Sequence, residues 1–315
     1  MKKKKQTRDS RTKFGIDNCS RPRRNRKMYN VNSTTIKNRT INKSKKTNKT
    51  DINNFILFQS SLGQTRDGVE LSPSYIVNHI KRKKHRIINQ VSITHDMFEN
   101  INSLYTTNSH IRGPRINIGG DHTMAIATIA HSLNNYDDLK VIYFDAHADI
   151  NTLEKSESKL YHGMPLSFVI GLDHDKKFGF IKNKLNFENL LYIGSRCLDN
   201  FEVDEIYKRN IKYITSDDIN NNYEDSINKI VDFVGNSPLH ISFDVDAIDP
   251  EYIPSTGTPV KNGVDLQTAI NTLDVLRTKK LVSLDITELN LKLVTSSESK
   301  KSIKNTLRLF NAFLE

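Results

Sequence analysis

Apolar positions are spread unevenly along this chain. The first fifty residues carry almost no periodic apolar pattern, and short dense runs begin at Phe55. The runs are Phe55–Phe58, Ile116–Ile118, Val141–Phe144, Leu190–Ile193, Leu239–Phe243 and Leu281–Ile286. Several are rich in β-branched or aromatic residues and flanked by Gly or Asp, which predicts buried strands. Between them the spacing turns helical. Ser72-Pro73 followed by Tyr75, Ile76, Val77 and Ile80 predicts a capped helix start. Thr123–Leu133, Leu266–Leu276 and Ile303–Leu314 place apolar residues three and four apart. Strands alternating with helices need crossover connections, so the pattern predicts an α/β fold with a mostly parallel sheet. The sequence shows no internal repeat and no apolar run near the roughly 18 residues needed to cross a bilayer, so it reads as soluble.

Composition changes this picture at one end. The chain has 315 residues, enough for one large α/β domain or two small ones. Its formal net charge is +11, yet residues 1–50 hold 18 of the 47 Lys and Arg and only two acids, Asp9 and Asp17. The remainder therefore carries 29 basic and 34 acidic residues and is slightly acidic. Residues 1–52 form a basic extension rich in Lys, Arg, Asn, Ser and Thr. Such a segment cannot bury enough surface to offset its ordering entropy, and disorder is expected. It reads as a solvated tail, or as an electrostatic arm contacting nucleic acid or serving as an address signal. Met1–Arg8 lacks the amphipathic stripe of a mitochondrial-type transit peptide. The two cysteines, Cys19 and Cys197, exclude a disulfide framework and a four-cysteine zinc site. They suit a reducing compartment such as the cytoplasm.

Candidate chemistry sits where the strands end. In open α/β sheets, ligands collect at the carboxyl ends of strands. The run at Val141–Phe144 leads into Asp145-Ala146-His147-Ala148-Asp149. The run at Leu239–Phe243 leads into Asp244-Val245-Asp246, and Ile116–Ile118 leads to Gly119-Gly120-Asp121-His122. If strand geometry continued, Asp145, His147 and Asp149 would share one face, as would Asp244 and Asp246. A single Asp-x-Asp is most often a turn or a solvated strand end, and a lone histidine is usually a satisfied polar residue. Together they supply the carboxylates Asp145, Asp149, Asp244 and Asp246 and the imidazoles His122 and His147. So much negative charge at one sheet edge is unfavourable unless cations neutralise it. Six ligands of this mixture suit two divalent ions with bridging carboxylates. Oxygen and imidazole donors without thiolates favour Mn²⁺, with Zn²⁺, Fe²⁺ or Co²⁺ as alternatives. Two ions about 3.5–4 Å apart would supply hydroxide at neutral pH.

Gly119-Gly-Asp-His-Thr123, Asp145-Ala-His-Ala-Asp149 and Ser242-Phe-Asp-Val-Asp-Ala-Ile-Asp-Pro250 resemble the three metal motifs of the ureohydrolase superfamily, which holds arginase, agmatinase and formiminoglutamase. The likeness runs from about Phe55 to Leu289. It implies a three-layer α-β-α fold with about eight strands, residues 53–315 acting as a single catalytic domain, two Mn²⁺ per subunit, and assembly as a homotrimer or homohexamer. Details lean toward arginase: His162-Gly-Met-Pro-Leu166, Ser255-Thr-Gly-Thr-Pro259 and Leu284-Asp-Ile-Thr-Glu-Leu-Asn290 match its segments. The resemblance gives Glu288 the role of holding a guanidinium, with Thr258 beside it. A carboxylate accepting paired charge-assisted hydrogen bonds suits that planar cation. His162 would relay protons at the mouth, and Asp149 would aim the nucleophile as well as bind metal.

By the same resemblance Asn151 and Ser158 would meet the substrate α-carboxylate, and Ser156 falls at a position that is also a hydroxyl residue in arginases. Asp199, with Glu202 behind it, would meet the α-amino group. These residues favour L-arginine, cleaved to L-ornithine and urea. The chain also departs from the arginase pattern: Lys159 stands for Gly, Leu160 for Asn, Cys197 for Asp and Leu291 for Pro. None of these is an expected metal ligand. They leave agmatinase, or another guanidino or formimino hydrolase, as the alternative within the class. A non-enzymatic nucleic-acid-binding protein that kept the fold is the alternative outside it. His240, just before a ligand strand, reads as structural.

Overall fold

The computed structural model describes residues 52–80 and 86–314, so the predicted disorder of the basic extension falls outside the described residues. Among the described residues lies one eight-stranded sheet. Its strands are β1 (Asn54–Phe58), β2 (Ile87–Gln90), β3 (Arg115–Gly119), β4 (Lys140–Phe144), β5 (Leu190–Ile193), β6 (Lys212–Ile214), β7 (Leu239–Asp244) and β8 (Leu281–Thr287). They run in the order β2-β1-β3-β8-β7-β4-β5-β6, and every pairing is parallel.

All six apolar runs became strands, each within a residue of its expected bounds. The edge strands β2 and β6 were not expected. Ile-Ile-Asn-Gln in β2 is mostly exposed, and β6 has only three residues, so neither shows a buried run.

The helices are α1 (Ser72–His79), α2 (Met97–Ser109), α3 (Met124–Asn135), α4 (Pro165–Ile170), α5 (Asn200–Lys208), α6 (Ser216–Asn221), α7 (Tyr223–Val234), α8 (Leu266–Leu276) and α9 (Ser296–Leu314). Alternation along each strand divides the core into two layers. Phe55 and Leu57, Ile142 and Phe144, and Leu191 and Ile193 face apolar residues of α1, α6, α7, α8 and α9. Ile56 and Phe58, Val141 and Tyr143, and Leu190 and Tyr192 face those of α2, α3, α4 and α5. The result is the expected three-layer α-β-α arrangement.

The strand order creates the crevice. The chain passes from β3 to β4 across two places that β7 and β8 fill later, so β3, β8, β7 and β4 lie side by side. Their carboxyl ends deliver His122, Glu288, Asp244 and Asp145, in that order across the sheet. The loop after β1 packs tightly over β3: a Cβ at Gly120 would lie 1.9 Å from the Ser60 carbonyl oxygen, so only glycine fits there.

Beneath the crevice the sheet carries a buried polar layer. Asp285 on β8 accepts from Asn117 at 2.7 Å and from Thr128, and its Oδ2 lies 3.0 Å from Nε2 of His240. Nδ1 of His240 lies 2.9 Å from Ser132 Oγ, so this histidine takes the structural place expected of it. Replacing Asp285 with Ala would remove the buried carboxylate to which Asn117, Thr128 and Ser283 donate and beside which His240 Nε2 lies. The expected loss of stability is about 3–5 kcal/mol, read from chemical denaturation; a loss below about 1 kcal/mol would contradict the network's role.

Candidate active site

The expected ligands do converge, but not by extended-strand alternation. β4 ends at Phe144, and the chain then folds back so that the His147 N–H donates to Asp145 Oδ1 at 2.7 Å. Asp149 takes a left-handed backbone, with φ 50°. β7 ends at Asp244, and a 3-10 turn over Val245–Ala247 lets the Asp246 N–H donate to Asp244 Oδ1 at 2.7 Å. The expectation of shared strand faces is corrected here: turns, stabilised by the carboxylates themselves, aim these side chains. They aim Asp244 and Asp246 at different partners. Nδ1 of His122 lies 3.0 Å from Asp145, 3.1 Å from Asp149 and 3.3 Å from Asp244. Nδ1 of His147 lies 3.4 Å from Asp145 and 3.0 Å from Asp246.

Two groups able to hold a cation result, His122–Asp145–Asp244 and Asp145–His147–Asp246. Asp145 belongs to both. It is 1% exposed, and its Oδ2, 3.0 Å from His122 Nδ1, accepts no hydrogen bond among the described residues. A buried carboxylate oxygen without a donor, set between two oxygen-and-imidazole clusters that lack thiolate, fits a bridging ligand between two divalent ions.

Electrostatics give the same reading. Burial, then the charges of Asp246 and Asp149, push the Asp145 carboxyl up to about 7. Burial, then Asp246 and Asp145, hold Asp244 well above the usual carboxylate range. Asp246 goes the other way: burial opposes its charge, but His147, the Ala146 N–H and Arg196 draw it below that range. Burial also opposes charge on His122 and His147, and the surrounding carboxylates still raise both well above the ordinary imidazole value.

Glu288 continues β8 in a left-handed conformation, φ 64°. Its Oε1 accepts the His122 N–H at 2.8 Å, and its Oε2 accepts from Gln64 at 2.8 Å. His162 Nδ1 lies 3.4 Å from Oε1. Burial disfavours the His162 cation, but Glu288 outweighs it and the imidazole value rises.

A cleft of about 170 Å³ brings most of the expected residues together: His147, Asp149, Asn151, Ser156, Ser158, His162, Asp199, Glu202, Asp244, Asp246, Thr258 and Glu288. His122 and Asp145 lie buried beneath it. Thr258 donates to Asp246 at 3.3 Å, and Asn151 donates to Asp199 at 2.7 Å. The Glu202 oxygens accept the N–H groups of Asp199 and Ile150 at 2.9 and 3.3 Å, so this carboxyl braces the wall of the cleft. Burial pushes it up to about 8. Lys159 adopts the left-handed conformation that glycine takes easily, φ 58°, and its Nζ donates to the Leu153 and Glu154 carbonyls at 2.6 and 3.0 Å. The departure from Gly thus ties the loop carrying Ser156 and Ser158 back onto itself.

A match to the model of the Arginase family spans residues 54–310. An arginase from Entamoeba histolytica is 30% identical over 287 residues, covering 81% of this chain and 96% of its own.

The chain belongs to the arginase family.

An arginase from Plasmodium berghei is 38% identical over 254 residues, 77% of this chain and 68% of its own. Among solved structures, the Entamoeba histolytica arginase in complex with L-ornithine superposes with a TM-score of 0.76 at 28% identity, covering 84% of this chain and 99% of that one. This arginase-family chain is therefore a hydrolase acting on the C–N bond of a guanidino group.

Groups around the family site that sequence reading missed are Tyr143, Ser242, Gln64 and Arg196. Tyr143 and Ser242 contact His122, and Gln64 contacts Glu288. Arg196 spends its N–H groups on the carbonyls of Gly194, Asp246, Ala247, Val260 and Lys261. Tyr143 sits inside an apolar run and reads as core, and Gln64 lies in no motif; Ser242 opens a metal motif and Arg196 stands just before Asp199 in sequence, but neither carried a role in the sequence reading.

The pKa directions set the pH dependence of the metal-free protein. Asp145 and Glu202 rise from ordinary carboxylate values to about 7 and about 8, so the folded state holds more protons than the unfolded one between about pH 4 and 8. The raised histidines act in the same direction, and the lowered Asp246 acts only below this window. Stability of the metal-free protein should therefore fall as pH rises from about 5 to 8, and Mn²⁺ should restore it. Thermal unfolding across that range checks this; a metal-free Tm that rises with pH would contradict it.

Proposed function

We propose that this arginase-type hydrolase cleaves L-arginine to L-ornithine and urea at a dinuclear manganese centre, with residues 53–315 as its catalytic domain. The observation that carries the reading is Asp145, shared by two His/Asp clusters and left with an unsatisfied buried oxygen. One ion would be held by His122, Asp145, Asp149 and Asp244, the other by Asp145, His147, Asp246 and Asp244. Bound there, two divalent cations would neutralise the carboxylates and supply a nucleophile at neutral pH by acidifying water.

The chain's own residues do the rest. Glu288 accepts hydrogen bonds from the guanidinium and holds its carbon at the cleft floor. Asp149 accepts the hydrogen bond that aims the nucleophile. His162, 20% exposed and beside Glu288, moves protons between solvent and the departing amine. Asn151, Ser156 and Ser158 offer neutral donors to an α-carboxylate, and Asp199 offers an acceptor to an α-amino group. Agmatine lacks that carboxylate, so this wall favours arginine. The L-ornithine complex of the Entamoeba histolytica arginase supports the same substrate class.

Urea release from L-arginine and agmatine, measured side by side with Mn²⁺-loaded protein, tests the assignment. A strong preference for arginine is expected; equal rates or a preference for agmatine would overturn it. Glu288→Gln should keep its metal and lose about 10²- to 10³-fold in kcat/KM. Unchanged kinetics would remove Glu288 from the guanidinium site.

A further inference from the structure

We propose that the Tyr143 hydroxyl is a positioning group for one of the two ions: it fixes the Asp149 carboxylate and the His122 imidazole, and the affinity of the ion they hold depends on it. The inference rests on the two-ion reading of the cleft and goes beyond it, because Tyr143 belongs to none of the three metal motifs.

Strand alternation puts Tyr143 on the face of β4 opposite Ile142 and Phe144, in the layer that packs on α3. The ring is fully buried. Its hydroxyl nevertheless stands among the candidate ligands, donating to Asp149 Oδ2 at 2.9 Å and lying 3.1 Å from His122 Nδ1. The ring also stacks on the His122 imidazole, with centroids 4.8 Å apart and planes 9° from parallel. Its partner across the β4–β7 pairing is Ser242, whose Oγ lies 2.9 Å from His122 Nε2. Adjacent residues of two strands thus hold both nitrogens and one face of the same imidazole.

Asp149 needs such a hold. A left-handed backbone is uncommon for a residue with a Cβ and persists only where its surroundings over-determine it. Among the described residues, the hydrogen bond to its carboxylate comes from the Tyr143 hydroxyl, and His122 Nδ1 lies 3.1 Å from the same oxygen. An imidazole nitrogen that turns its lone pair to a cation can no longer donate a proton. With metal bound through Nδ1, Tyr143 is then the remaining protein donor to Asp149. Groups that orient ligands in this way typically govern affinity about 10- to 100-fold. A phenylalanine here would keep the packing and the stacking and remove only the donor.

The test is a Mn²⁺ titration of the metal-stripped full chain, wild type against Tyr143→Phe, by calorimetry. Wild type should bind two equivalents. In the variant one site should weaken about 10- to 100-fold, while the other changes little. Affinities unchanged at both sites, in a variant whose circular dichroism and gel filtration match wild type, would overturn the inference. A wild type that binds no Mn²⁺ would instead overturn the two-ion reading, and this inference with it. A second measurement needs no variant. The chain has no tryptophan, so a tyrosine difference band should appear in the near-ultraviolet spectrum as Mn²⁺ fills the site. A flat difference spectrum over two bound equivalents would also overturn the proposal.

Discussion

The structure is organised around one constraint: four carboxylates are gathered with two imidazoles at the end of a sheet, where the carboxylates repel one another without cations. Water cannot relieve this, because Asp145, Asp244 and Asp246 are almost fully buried. Such a cluster costs folding energy in its ionised form and gains it back when divalent ions bind. Around it the chain accepts further local cost, with left-handed backbones at Asp149 and Glu288. Strain of this kind collects at functional sites and is held by what surrounds it. Here the holding groups are the Tyr143 hydroxyl on Asp149, and the His122 N–H and Gln64 amide on Glu288.

The sheet explains why the cluster forms where it does. Four adjacent strand ends, from β3, β8, β7 and β4, bring acidic or imidazole groups into the crevice left by the strand order. The loops after β4 and β5 build the cleft wall above it, and Glu202 and Lys159 brace that wall through backbone groups. A rigid parallel sheet thus sets the reaction centre, and loops set what may enter. Family members can keep the first and vary the second.

Much of this was legible in the sequence for physical reasons. Buried central strands leave dense apolar runs, and β1, β3, β4, β5, β7 and β8 all showed one. Edge strands half in solvent do not, so β2 and β6 were invisible. The site residues were legible as motifs at strand ends, but their geometry was not. Alternation predicted shared faces for Asp145, His147 and Asp149, whereas turns closed by side-chain to backbone hydrogen bonds make the arrangement. Tyr143 escaped notice because a buried aromatic ring in an apolar run reads as core; only its hydroxyl belongs to the site. Lys159 was legible as a departure, and its left-handed backbone shows how a lysine fills a glycine's place.

The central claim is that Asp145 bridges two cations. Anomalous diffraction from crystals of the Mn²⁺-loaded protein tests it most directly. The account predicts two manganese peaks about 3.5–4 Å apart, one beside His122 and one beside His147, with Asp145 between them. A single peak, or two that do not share Asp145, would contradict it.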